Sequence, residues 1–198
     1  MKVLLTISDE SRAALAAHGV LAGKIPGLLA ACLESAAAAG ADNVGMLLQT
    51  NQLALKTRSG GMGIAGAVSA WMIDDATAAV GVSEGVPAHA YAGIQETGGT
   101  ITAKPGKALA VPLNDRARAL TSPRDATVEL TMIKRPGKPP LLARVFGDSV
   151  EPWFVLLKSV TLKATHWLSD GVSRSMPLMV AAFQHTLDEA LPDAMEGR

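Results

Sequence analysis

The sequence predicts an α+β fold, with helices first, then a meander of antiparallel strands, then a closing helix. Three observations carry that expectation. Ile25, Leu28, Leu29, Cys32 and Leu33 recur at helical spacing near the start. From about residue 57 the pattern changes to short extended runs separated by Gly, Pro and Asp turn signals. Helical spacing then returns over Ser175 to Leu191, with Met179, Val180, Phe183 and Leu187 on one stripe and Asp188 and Glu189 outside it.

A chain of 198 residues is long enough for one packed domain, which at this size buries roughly 70% of its unfolded surface. No Gly/Ser-rich or Pro-rich linker marks a boundary. A single domain over 1–198 is therefore expected, with a helical part at 1–56, a β-rich part at 57–168 and the C-terminal helix at 174–191. Much of the 48% apolar content is alanine and only 4% of residues are aromatic, so Leu, Val, Ile, Met and Ala must build the core. The 18 basic and 18 acidic residues cancel, leaving no net field to steer DNA or an anionic membrane. Cys32 is the sole cysteine, which excludes an intramolecular disulfide and any multi-cysteine metal site, and its apolar helical setting predicts a buried, inert thiol. The opening Met-Lys-Val-Leu-Leu-Thr-Ile-Ser-Asp-Glu is too short in apolar residues for a signal peptide, and no run approaches the ~20 apolar residues of a membrane span. A soluble intracellular product, with no membrane partner, is expected.

In order, residues 3–7 predict a short strand, and Ser8, Asp9 or Ser11 can cap a helix that packs Leu15 inward. Helix follows over Ile25 to Ala39, with Pro26 in its first turn, and Gly40-Ala-Asp-Asn43 is expected to break or kink it before Val44 to Leu55. Residues 57–63 form a glycine loop. Val68 to Ile73 and Thr77 to Val82 are strands around an Asp74-Asp75 turn. Ala126 to Ile133 alternates, with Val128, Leu130 and Met132 on one side, and pairs through the Lys134–Pro140 turn with Leu141 to Phe146 as a hairpin. Phe154 to Trp167 is expected to be a strand buried on one face.

The densest stretch is 89–113. Tyr91, Ile94 and Gln95 share a helical face, and Gly98-Gly99 supplies the φ freedom to end the turn and reverse the chain. Two extended runs, Thr100 to Ala103 and Ala108 to Leu113, are then expected to pair as a hairpin around Lys104-Pro-Gly-Lys107, a type II turn by its Pro and Gly positions.

Two matches to chemical motifs lack the flanks their chemistry needs. Gly61-Met-Gly-Ile-Ala-Gly66 fits the dinucleotide fingerprint, with Glu84 at a suitable distance for a ribose contact, but polar Lys56-Thr-Arg-Ser59 stands where a buried strand should end. Gly81-Val-Ser-Glu-Gly85 fits the nucleophile elbow, yet Val86-Pro87 follows where a helix should begin. A nucleotide-binding enzyme using the 61–66 loop, and a serine hydrolase at Ser83 with a later acid and His166, are thus the alternatives. His18, His89, His166 and His185 are scattered, with no metal-ligand spacing. No catalytic constellation, cofactor or metal is expected.

The 89–113 stretch resembles the core of tail-completion, or head–tail joining, proteins of tailed bacteriophages grouped with the phage Mu G-like virion morphogenesis family. The likeness lies in the order Tyr91, Ile94, Gln95, Glu96, Gly98, Gly99, Ile101, Lys104, Lys107, Leu109, Val111, Pro112, and in Leu157, Lys158, Val160, Leu162 ahead of an amphipathic helix. The chain departs from that pattern at Lys163-Ala-Thr-His-Trp167 and in a long 114–147 insertion. The resemblance implies a non-enzymatic virion protein at the head–tail junction or tail terminus, assembled in the host bacterial cytoplasm. Its implied partners are itself, as a homo-oligomeric ring, and other phage head, neck or tail proteins, with a weak contact to packaged DNA at the lysine tips. The candidate interface comprises Tyr91, Gln95, Glu96, Gly98, Gly99, Lys104, Lys107, Lys134, Arg135 and Lys138.

Overall fold

Helix α1 (Ile25–Gln49) organises the first part of the chain. The computed structural model describes residues 1–9, 11, 23–55, 63–120 and 122–196, the side chains of 193–196 excepted. The fold is α+β, as the sequence predicts, and the chain divides into two compact units. Unit 1 comprises Met1–Thr57, Met62–Thr97 and Thr165–Arg198, and unit 2 comprises Arg58–Gly61 and Gly98–Ala164.

In unit 1, strands β1 (Lys2–Thr6), β2 (Val68–Asp74) and β3 (Thr77–Val82) form an antiparallel sheet in the order β1-β3-β2. The β2–β3 hairpin turns at Asp74-Asp75 as expected, with Asp74 Oδ1 accepting from the Ala76 N–H at 2.8 Å. Ser11 N donates to Ser8 Oγ, a capping contact, whereas the helix expected to carry Leu15 lies outside the described residues. Helix α1 packs on β2 and β3, and a four-residue turn of helix, α2 (Ile64–Ala67), leads into β2. The C-terminal helix α5 (Trp167–Glu196) packs along α1 and on strand β1. It begins at Trp167, before the expected 174, and Pro177 lies inside it. The carbonyl that Pro177 leaves without a partner belongs to Ser173, on the exposed side, where water can satisfy it.

Gly40 does not break α1, which runs unbroken to Gln49. A Cβ there would lie 2.9 Å from Sδ and Cε of Met179, a fully buried α5 residue, so the missing side chain makes room for the neighbouring helix. Ala36, Ala37, Ala41 and Val44 continue the same buried, small-residue face, and α5 answers with Gly171, whose Cβ would meet Val44 at 3.1 Å. The alanine run is therefore a close helix–helix seam. Asn43 crosses it by donating to Ser175 Oγ at 2.9 Å, and that hydroxyl donates to the Gly171 carbonyl at 2.8 Å, so the buried polar pair is satisfied. The apolar stripe of α5 is narrower than expected, since Met179 is buried but Val180 is half exposed.

Cys32 is fully buried on α1, and burial pushes its thiol up, away from the reactive thiolate. Native protein is expected to resist a thiol reagent such as Ellman's at pH 8 and to titrate one thiol once urea unfolds it; rapid labelling of the native chain would contradict this packing.

Unit 2 holds two antiparallel ladders. Strand β4 (Gly99–Thr102) pairs with β9 (Ser159–Leu162), and β5 (Leu109–Pro112), β8 (Ser149–Leu157), β7 (Lys138–Phe146) and β6 (Thr131–Arg135) form a sheet in the order β5-β8-β7-β6. A short helix, α4 (Asp115–Arg118), capped by Asn114, places Ala117 against Trp153 and Phe154. Val128 and Leu130 join that small core from a non-strand segment, so the expected strand over 126–133 begins only at Thr131, and Met132 is exposed.

Candidate functional site

The segment carrying the family resemblance begins on helix α3 (His89–Thr97), which is short and mostly polar. Its buried residues are Ala92 and Glu96, while Ile94 and Gln95 are half-buried and Tyr91 is exposed. Glu96 is 1% exposed, and its carboxylate accepts from Leu168 N at 2.7 Å, Ser169 Oγ at 2.6 Å and Ser169 N at 3.3 Å. Those donors are first-turn groups of α5, where backbone N–H groups lack helical partners and a negative charge meets the positive end of the helix dipole. Around this contact, Thr165 donates twice to the Gln95 carbonyl, His166 N donates to the Glu96 carbonyl at 3.2 Å, and the Trp167 indole N–H reaches the Ala92 carbonyl at 3.3 Å. His166 holds a left-handed φ of 49° within this set of bonds. Glu96 is thus a clasp inside unit 1, and the Gln95 backbone shares that task.

At Gly98 the chain passes into unit 2 with φ +73°, and Gly99 follows at φ +147°. A Cβ on Gly98 would stand 2.7 Å from Ala164 N, a backbone atom that cannot swing aside. Gly98→Ala is therefore expected to cost about 2–3 kcal/mol, from left-handed strain of about 1–2 kcal/mol plus the clash. A urea titration followed by circular dichroism would show it, and an unchanged midpoint would contradict the crowding.

Beyond the glycines the expected hairpin is not formed. The Lys104–Lys107 turn is there, with Lys107 N donating to the Lys104 carbonyl at 2.9 Å and Gly106 at φ +73°. Its two flanking runs, however, pair with other strands. Ile101 faces Val160 in one ladder and Leu109 faces Leu157 in the other, while Ala103 N donates to the Lys158 carbonyl at 2.8 Å between them. Residues 99–112 and 154–162 therefore make one interrupted antiparallel ribbon, from which the lysine turn is ejected as an exposed excursion. The local turn chemistry is as expected; the partner strand comes from far along the chain.

Lys134 and Lys138 are exposed on the β6–β7 hairpin, which turns at Pro136-Gly137. Arg135 folds back, donating from Nε and Nη2 to the Pro139 carbonyl at 3.2 and 2.7 Å, so it stiffens its own turn. Lys104 and Lys107 share a turn, and Lys134 and Lys138 share another.

One feature escaped the sequence reading. Strands β7 and β8 continue past both neighbours: β6 reaches only Ala143 on β7, and β5 reaches only Phe154 on β8. Residues 144–151 thus form a two-stranded arm, tipped by Gly147-Asp148, on which Val145, Phe146 and Val150 are each about half exposed. Arg144 lies 5.2 Å over the Phe146 ring, and Glu151 at the base pairs with Arg116 at 3.4 Å. The Gly-Asp dipeptide between apolar runs is the signal that could have found it. Pro152 masks the strand, and it is tolerated there because the β7–β8 register shifts between Leu142 and Ala143.

Of the rival motifs, Gly61 and Met62 lie outside the described residues, and the part of the glycine loop that is described leads into the four-residue α2. Ser83 follows β3, the middle strand of an antiparallel sheet, and lines a cavity of about 480 Å³ with Glu84, His89, Lys2 and Trp71. Among the described residues no hydrogen bond joins Ser83 to His89, the contact a nucleophile–base pair uses. No group of three His, Cys, Asp or Glu suited to a metal ion occurs among the described residues, and no helix there is long and apolar enough to cross a membrane. No family model, curated protein or solved structure matches this chain.

Proposed function

We propose that this chain is a non-enzymatic assembly protein of a tailed-phage or prophage virion, working at the head–tail junction or tail terminus as a ring of identical copies. The observation that carries the reading is the interrupted ribbon. Of the residues of the family resemblance, Tyr91 to Thr97 lie on α3 in unit 1, and Gly98 to Pro112 lie in unit 2, where two short strands pair with residues 154–162 and hold out the Lys104–Lys107 turn. Exposed Lys134 and Lys138 on a stiffened hairpin add a second protruding contact, suited to an acidic neighbour or to packaged DNA. Heterologous contacts of this kind close into rings when the rotation between copies allows.

The test is deletion of the coding sequence from the phage or prophage that carries it, followed by electron microscopy of the lysate. Separate heads and tails, joined again on complementation, are the expected result, and normal numbers of joined particles would overturn the proposal. The cavity beside Ser83 favours hydrolysis as the second reading, and a fluorophosphonate probe that labels wild type but not Ser83→Ala would establish it.

A further inference from the structure

We infer that the β4–β9 ladder and the lysine turn beside it form a contact surface for the phosphate backbone of duplex DNA. Its place in a virion rests on the assembly reading above; the surface itself lies wholly within unit 2. Over the whole chain 18 basic and 18 acidic residues cancel, but here they do not. Residues 98–107 and 158–164 hold Lys104, Lys107, Lys158 and Lys163 and no acid. The bond from Ala103 N to the Lys158 carbonyl brings Lys158 to the foot of the Lys104–Lys107 turn, and Lys163 follows the other end of β9. All four lysines are exposed, and among the described residues none of them makes an ion pair.

The ladder between these charges turns hydroxyls outward. In the register Thr100 to Thr161 and Thr102 to Ser159, all four residues are exposed, while Ile101, Val160 and Leu162 of the opposite face are half-buried. Thr100 and Thr161 share one hydrogen bond at 3.0 Å, which leaves one of their two O–H groups to donate elsewhere. The hydroxyls of Thr102 and Ser159 make no hydrogen bond among the described residues. Lysine ammoniums and Ser/Thr hydroxyls are groups that hold phosphate oxygens, and they do so without reading sequence. This face exposes no large apolar side chain, the anchor on which protein interfaces depend, so charge and hydroxyls alone suit a polyanion. Neither stretch contains an aromatic residue on which unpaired bases could stack, so a double strand fits better than a single one.

Fluorescence anisotropy of the full chain with a labelled random-sequence duplex, titrated at several salt concentrations, tests the contact. Four phosphate contacts should give log K a slope against log salt of about −3 to −4. Lys104→Gln with Lys158→Gln should bring that slope to about −2 and weaken binding on the order of a hundredfold at about 50 mM salt. Lys24→Gln with Arg124→Gln removes the same charge from exposed residues elsewhere, and should leave slope and affinity nearly unchanged. Circular dichroism checks the fold, and Lys107→Gln with Lys163→Gln replaces the first pair if it misfolds. No binding, a wild-type slope shallower than about −2, or equal losses in the two charge-matched pairs would overturn the contact. So would tighter binding to a single strand of the same length, or equal binding to poly-glutamate, which would make the partner an acidic protein. A chain that ignores DNA would leave the virion role standing on the deletion experiment, whereas joined particles in that experiment would end the virion role whatever the anisotropy shows.

Discussion

Glu96→Ala is expected to destabilise unit 1 by about 3 kcal/mol, since buried donors left without an acceptor cost about 1–3 kcal/mol each and bonds to a charged acceptor exceed neutral ones. Its carboxylate is the common acceptor for Leu168 N, Ser169 N and Ser169 Oγ, and Leu168 is fully buried. Ser169 is exposed, so water can take over its two bonds, whereas the buried Leu168 N has no such substitute. Glu96→Gln keeps one acceptor but turns an NH₂ toward the same donors, and should recover about half of the loss. A urea titration read by tryptophan fluorescence would show a midpoint lowered by about 1–2 M, at the slopes usual for chains of this size. A shift below a few tenths of a molar would mean that the clasp does not hold the helix.

Trp167→Ala should cost at least as much, about 3–5 kcal/mol, the range for emptying a large aromatic site in a packed core. Trp167 is fully buried at the start of α5, amid the same contacts that Glu96 makes. Trp167→Phe separates packing from polarity. It keeps most of the ring volume but leaves the Ala92 carbonyl without its indole donor, for a loss of about 1–2 kcal/mol. Because both sites fix the same end of one helix, Glu96→Ala and Trp167→Ala together should cost less than their sum, by 0.5 kcal/mol or more. Strict additivity would show that the two contacts act independently.

The chain declares its local structure and conceals its long-range choices. The β2–β3 hairpin was legible because Asp74-Asp75 lies between two β-rich runs whose partners are sequence neighbours. Helix α1 was legible from its spacing, but the meaning of Gly40 was not, because the reason for it is Met179 on another helix. The Lys104–Lys107 turn is legible in its own residues while its pairing is not, since ladder partners at 154–162 outcompete the nearest run. The role of Glu96 was invisible for the same reason: its donors lie 72 and 73 residues away. Trp167 closes an extended-looking run, and nothing local to it announces the start of a helix.

The placement of Gly98–Ala164 within the chain has a consequence for how the molecule can change. Gly99 at the start of that segment pairs with Leu162 near its end, so the segment leaves and returns at one place. The large core, from Leu33 through Val80 to Met179, is built without any residue of the segment, and the α3–α5 clasp sits just outside both ends. The segment is a cassette. It can lengthen, shorten or be exchanged for another ribbon at the Thr97/Thr165 seam without reopening the core that carries it. Sequence change within the segment can then accumulate without touching the residues of that core.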